Sequence, residues 1–96
     1  MNKFYYAWEN AIEWENLNSK QYRMCYLCQK NMNHGTKWNS DSNPNNGWNV
    51  DHLDGNKSNG VTSNWVAVHY SCNIEKGKKD FTQKYRSMKG QKWTSK

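Results

Sequence analysis

Two short spacings carry the clearest chemistry in this chain: Cys25-x-x-Cys28 and, after a gap of 40 residues, His69-x-x-Cys72. Each pair can converge from one tight turn, and the long gap lets the two pairs clamp distant parts of the chain. Three thiolates and one imidazole suit a tetrahedral zinc ion. All three cysteines fit this set, and three cannot all pair within the chain as disulfides. His34 is the rival imidazole, but the repeated x-x spacing favours His69. A metal also answers a deficit in the core. The branched aliphatic residues number only nine, against six Trp, six Tyr and two Phe, and scaffolds of this size usually need a staple. Structural zinc contributes ~10–16 kcal/mol in finger peptides, comparable with the ~5–15 kcal/mol net stability of a typical domain.

Between the two pairs lie Asp51-His52, Asn64 and Asn73. An imidazole has an ordinary pKa of about 6.5, so His52 is able to accept a proton near neutral pH. In isolation an Asp-His pair is a surface turn, and single asparagines are caps or loop residues. Neighbours on a strand also point to opposite faces, so Asp51 and His52 require a bend or bulge to serve one site.

The elements that must position these groups follow from periodicity. Phe4, Trp8, Ala11, Ile12 and Glu15 fall at helical spacing and predict an amphipathic helix over residues 3–17. Arg23 to Lys30 is a metal-knuckle turn. Asn31 to Gly47, rich in Asn, Ser and Gly and holding Pro44, reads as loop. Asn49–Leu53 and Trp65–His69 have strand character and enclose a turn-rich segment, which predicts a hairpin with a wide loop. Tyr70–Lys76 begins a helix that Gly77 stops. Asp80 and Gln83 resemble a capping box ahead of a last helix whose face holds Phe81, Tyr85 and Met88.

One domain accounts for 96 residues. No apolar run reaches the length of a membrane span and no secretory signal is present, so a soluble, intracellular, cytoplasmic protein is expected. The net charge of +6 lies entirely at the end: residues 75–96 hold eight Lys or Arg against two acids, 8 − 2 = +6. That asymmetry suits a polyanion such as DNA, and equally a solvated tail.

Val50-Asp51-His52-Leu53, then Asn64, then Cys72-Asn73, bracketed by the cysteine pairs, resembles the HNH endonuclease family over about residues 22–78. The resemblance implies an α+β fold with a ββα-metal core stapled by zinc. That core would be flanked by an N-terminal helix within residues 1–20 and a basic C-terminal helix and tail over 79–96. His69 stands where a cysteine is usual, and Asn73 where many members have histidine. The implied activity is metal-dependent hydrolysis of DNA phosphodiesters with little sequence specificity, leaving 5′-phosphate and 3′-hydroxyl ends. His52 is then the general base, and Asp51 and the Asn73 oxygen hold one Mg²⁺ or Mn²⁺. Asn64 hydrogen-bonds across the loop to present His52. Lys76, Lys78, Lys79, Lys84, Arg86, Lys89 and Lys92 are placed to grip the DNA backbone. Small members of this kind resemble phage and mobile-element proteins, and a protein partner or a homodimer suits them. Two other readings use the same scaffold: a zinc-stabilised DNA-binding module that does not cut, and a protein-interaction module.

Overall fold

Asn2 opens the first helix, α1 (Lys3–Asn10), its side-chain oxygen accepting from the amides of Phe4 and Tyr5. Two donors that a helix start leaves free are thereby satisfied. The computed structural model describes residues 2–38 and 47–96. The helix stops at Asn10, well short of the predicted residue 17, and the cause is tertiary. Beyond it Ala11 is extended, and Ile12 bridges to Met24, whose amide donates to the Ile12 carbonyl at 2.8 Å. The buried Arg23 guanidinium donates to the carbonyls of Glu9 and Ala11, at 3.1 and 2.9 Å. Those carbonyls would otherwise serve the next helical turn. The Glu15 amide, freed in the same way, donates to the carbonyl of Trp93 near the other end of the chain. Trp8, Ala11 and Ile12 are still buried, so the apolar stripe is core although only part of it is helical.

Strands β1 (Tyr22–Met24) and β2 (Asn31–Asn33) pair antiparallel, with Arg23 opposite Met32. The composition of residues 31–47 predicts loop throughout, so β2 is a correction. Met32 alone points into the core, while Asn31 and Asn33 turn outward and accept from Trp14 Nε1 and Gln21 Nε2. Polar, apolar, polar over three residues is too short a pattern to show through asparagine-rich composition. The part of that predicted loop around Pro44 lies outside the described residues.

A second antiparallel pair forms the centre: β3 (Trp48–His52) and β4 (Trp65–His69), in register from Trp48 opposite His69 to His52 opposite Trp65. Both lie within one residue of the strands that the sequence predicts. Directly opposed residues share a face, which places Trp48, Val50, His52, Trp65, Ala67 and His69 on one side and Asn49, Asp51, Val66 and Val68 on the other. Helix α1 covers the first side through aromatic contacts, with Trp8 5.1 Å from Trp48 and Tyr6 6.3 Å from Trp65 between ring centroids. No bulge interrupts β3.

Helix α2 (Tyr70–Lys76) follows β4 without a connecting residue and ends at Gly77, whose φ is 59°. Helix α3 (Thr82–Lys89) has Phe81 at its N-cap with no side-chain cap, in place of the predicted capping box from Asp80, whose Oδ1 accepts instead from the amide and hydroxyl of Thr82. Its buried face carries Tyr85 and Met88. The tail packs back on the chain's beginning, where Asn16 and Ser95 exchange two hydrogen bonds. The described residues therefore form a small α+β fold with three α-helices and two two-stranded sheets. Among them no helix is long and apolar enough to cross a membrane.

Candidate functional site

The turn between β1 and β2 carries Cys25 and Cys28. It is closed by the Gln29 amide donating to Cys25 O at 2.7 Å, with Gln29 itself at a φ of 61°. His69, the last residue of β4, and Cys72, in the first turn of α2, face it across the fold. One ligand atom from each of Cys25, Cys28, His69 and Cys72 lies within 4.8 Å of all the others. Cys28 Sγ is 3.2 Å from His69 Nδ1, and the His69 amide donates to Cys25 Sγ at 3.4 Å. This cluster can hold a structural metal ion. Its neighbour Cys25, through a hydrogen bond, and then burial push the Cys28 thiol up to about 11. Thiols so crowded gain when a cation takes the place of their protons. His34 belongs elsewhere, edge-on to Trp8 at 4.8 Å within the aromatic core.

Asp51 is 1 % exposed. On the side of the sheet away from α1, its Oδ2 accepts from the Tyr26 hydroxyl at 2.8 Å, and its Oδ1 sits 3.1 Å from Lys76 Nζ. Lys76 Nζ also donates to the carbonyl of His52 at 2.9 Å. Burial first, and the charge of Asp51 next, push the Tyr26 hydroxyl far above its ordinary range, so it remains a donor. Tyr26 has no mark in the sequence beyond its place between the two cysteines. Lys76, expected to grip DNA, is 4 % exposed, which is a correction. Helix α2 points it inward, and the buried carboxylate supplies the partner that a buried ammonium needs.

His52 projects from the opposite face of β3, beside Trp65. No bend unites it with Asp51, whose carboxylate stays sealed on the other face; the two residues border the same cleft of about 750 Å³ at the end of the strand. The cleft is also lined by Asp54, Lys57, Asn73, Ile74 and Lys78. His52 Nε2 is buried without a hydrogen-bond partner, and so is Trp65 Nε1. His52 itself is partly exposed and lines the cleft. Burial first, and the Lys3 ammonium next, hold the ring's pKa below its ordinary value, so the neutral form dominates at pH 7.

Asn64 does bond across the loop between the strands. Its Oδ1 accepts from the Asp54 amide at 3.1 Å, and its Nδ2 donates to Asp54 Oδ1 at 3.1 Å and to Asn59 O at 3.3 Å, while its carbonyl takes the Leu53 amide. Leu53 follows His52 directly, so the loop is anchored at the residue next to the candidate base. Asn73 Nδ2 donates to Val50 O at 3.1 Å, and the residue lines the cleft. On the far wall the Gly55 backbone lies so near Lys78 that a β-carbon on it would fall 2.1 Å from Lys78 O. A φ of 76° there also favours glycine.

The basic C-terminal segment does not form one surface. Lys78 lines the His52 cleft, whereas Lys79 and Lys84 line a hollow beside Cys28 and Cys72. Arg86 and Lys89 line a third hollow with Asn10 and Asp54, and Lys89 Nζ donates to Asn10 O at 2.8 Å. Lys92 lies 3.9 Å from Glu15. Lys57, which the charge count did not single out, is a cleft residue. Compared with known proteins, the chain matches no family model, no curated protein and no solved structure, so the family resemblance rests on its own residues.

Proposed function

We propose that the chain hydrolyses phosphodiester bonds of DNA, with His52 as general base. The observation that carries this is the run β3, β4, α2, which brings Asp51, His52 and Asn73 to one cleft rimmed by the exposed ammonium groups of Lys57 and Lys78. The neutral imidazole takes a proton from a water molecule, whose oxygen attacks phosphorus. The bond from phosphorus to the 3′-oxygen breaks, and that oxygen takes a proton from solvent. Lys57 and Lys78 oppose the charge on the phosphate through the step. Asn64 keeps the loop, and through Leu53 the base, in place.

The Cys25, Cys28, His69 and Cys72 cluster holds zinc in this reading, since sulfur and imidazole donors suit that ion. Zinc there supplies folding stability and no reaction chemistry. The catalytic Mg²⁺ or Mn²⁺ that the resemblance implies fares differently. Both Asp51 oxygens are engaged, one of them 3.1 Å from an ammonium, so the Asp51 and Asn73 pair does not fit a divalent cation. The sealed, charge-paired Asp51 favours a second reading, a nucleic-acid-binding module that does not cut.

Supercoiled-plasmid cleavage with Mg²⁺, with Mn²⁺ and without either, for wild type and His52→Ala, separates these. Loss of a general base costs ~10²–10⁴-fold in rate. Nicking that drops by that much in the variant supports the hydrolase, and equal background cutting rejects it in favour of the non-cutting module.

A further inference from the structure

The His52 end of the β3–β4 hairpin carries more than the general base. Trp65 is the cross-strand partner of His52 and shares its face. Lys3 Nζ lies 5.4 Å from the Trp65 ring centroid, and Tyr6 packs on the same ring while remaining 36 % exposed. Tyr5, edge-on to Tyr6 at 5.3 Å, is 58 % exposed. Across the cleft Ile74 is 63 % exposed. Exposed Lys3, Lys57 and Lys78 thus surround His52 together with apolar surface that no described residue covers. The two ring nitrogens without hydrogen-bond partners, His52 Nε2 and Trp65 Nε1, lie at this end too.

We propose that this end of the molecule takes single-stranded DNA, with Lys3, Lys57 and Lys78 on successive phosphates and an unpaired base laid on Tyr5 and Tyr6. Aromatic surface beside a cationic groove recognises unpaired bases, because a duplex keeps its base faces stacked away from such rings. Lys57 and Lys78 line the cleft itself, while Tyr5 and Tyr6 stand outside it on α1 and reach His52 through the Trp65 ring. The C-terminal segment, by contrast, offers no such surface: Lys89 on α3 is spent on Asn10 O, and Lys92 after it faces Glu15. This inference rests on the cleft being the nucleic-acid site, and it names the form of the substrate.

The test is fluorescence anisotropy with the full chain and no added divalent ion, using a labelled 12-nucleotide single strand and the matching duplex. Substituting Lys3→Gln, Lys57→Gln and Lys78→Gln together is expected to weaken single-strand binding about tenfold or more. The slope of log affinity against log salt should fall by about 2, at ~0.7 per phosphate contact. The matched set Lys84→Gln, Arg86→Gln and Lys92→Gln should change affinity less than about threefold on the same account. Tyr5→Ala with Tyr6→Ala should cost the single strand about tenfold and leave the duplex unaffected. A duplex bound as tightly as the single strand, with no effect of the tyrosines, overturns the proposal, as does an equal loss in the matched C-terminal set. Binding is read apart from cutting. Retained binding without cleavage therefore defeats only the hydrolase, and cleavage that depends on the matched C-terminal set defeats only the single-strand inference.

Discussion

The two ends of the β3–β4 hairpin are built on opposite plans. At the Trp48 and His69 end, donors converge: His69 meets three sulfurs, and the surroundings are aromatic rings packed on one another. At the His52 and Trp65 end, ring nitrogens lack partners, lysines stand exposed and a cleft opens. The same two strands thus terminate once in a closed, self-satisfied cluster and once in an open, unsatisfied one. The first can hold the fold together and the second is where an outside molecule has something to gain. Between the ends, Asp51, Tyr26 and Lys76 form a buried bridge that belongs to the closed side by its bonding and to the open side by position.

The largest expected effect tests whether the closed end is what keeps the molecule folded. Stripping metal with a strong chelator, or substituting Cys25→Ser, should remove most of the tertiary structure. The scale is the ~10–16 kcal/mol of finger peptides. Near-ultraviolet circular dichroism follows it, and a chain that keeps its full aromatic signal in chelator, at one-to-one loss of zinc, would remove the closed end from the account. Metal affinity should also fall as the pH is lowered, because protons compete with the metal for the thiolate ligands.

The buried bridge comes next. Lys76→Met leaves the Asp51 charge sealed without its counter-ion and should destabilise by ~3–5 kcal/mol in urea unfolding, with Asp51→Asn losing a similar amount. The double variant should lose clearly less than the sum of the two, and strict additivity would mean the pair is not coupled. Tyr26→Phe removes one hydrogen bond to a charged group and should cost about 1.5–3 kcal/mol.

Smaller still is the pH response of the open end. The His52 pKa is depressed in the fold, so the imidazole is neutral above its ordinary value and becomes protonated only below it. Cleavage should be flat through neutral pH and fall through a midpoint under about 6.5 as acid protonates the base. Lys3→Gln should raise that midpoint slightly, since the ammonium is one cause of the depression. A midpoint above the ordinary imidazole value would contradict the burial seen here. Lys92→Gln, at an exposed pair 3.9 Å apart, should leave stability unchanged within error.

The closed end was legible in the sequence because its geometry is encoded in spacing: two x-x pairs can only converge if the chain between them folds back. The hairpin and α2 were legible for a similar reason, being periodic segments bounded by turn residues. The length of α1 was not, since it is set by Arg23 taking the Glu9 and Ala11 carbonyls from 14 and 12 residues further along the chain, which no local pattern shows. Lys76 looked like part of a cationic tail because a count of charges carries no direction. Only the helix phase relative to Asp51 turns it inward. Tyr26 and Lys3 gave no signal at all, as their roles come from neighbours brought together by the fold.

The backbone contact between Gly55 and Lys78 has a consequence for motion. The Phe81 amide donates to Leu53 O at 2.8 Å just beyond that contact, so the loop that walls the cleft and the segment leading into α3 are fastened at two adjacent points. Neither can lift without the other, and in amide hydrogen exchange the two should open as one cooperative unit, at a rate set by the docking of a helix rather than by the fraying of a loop.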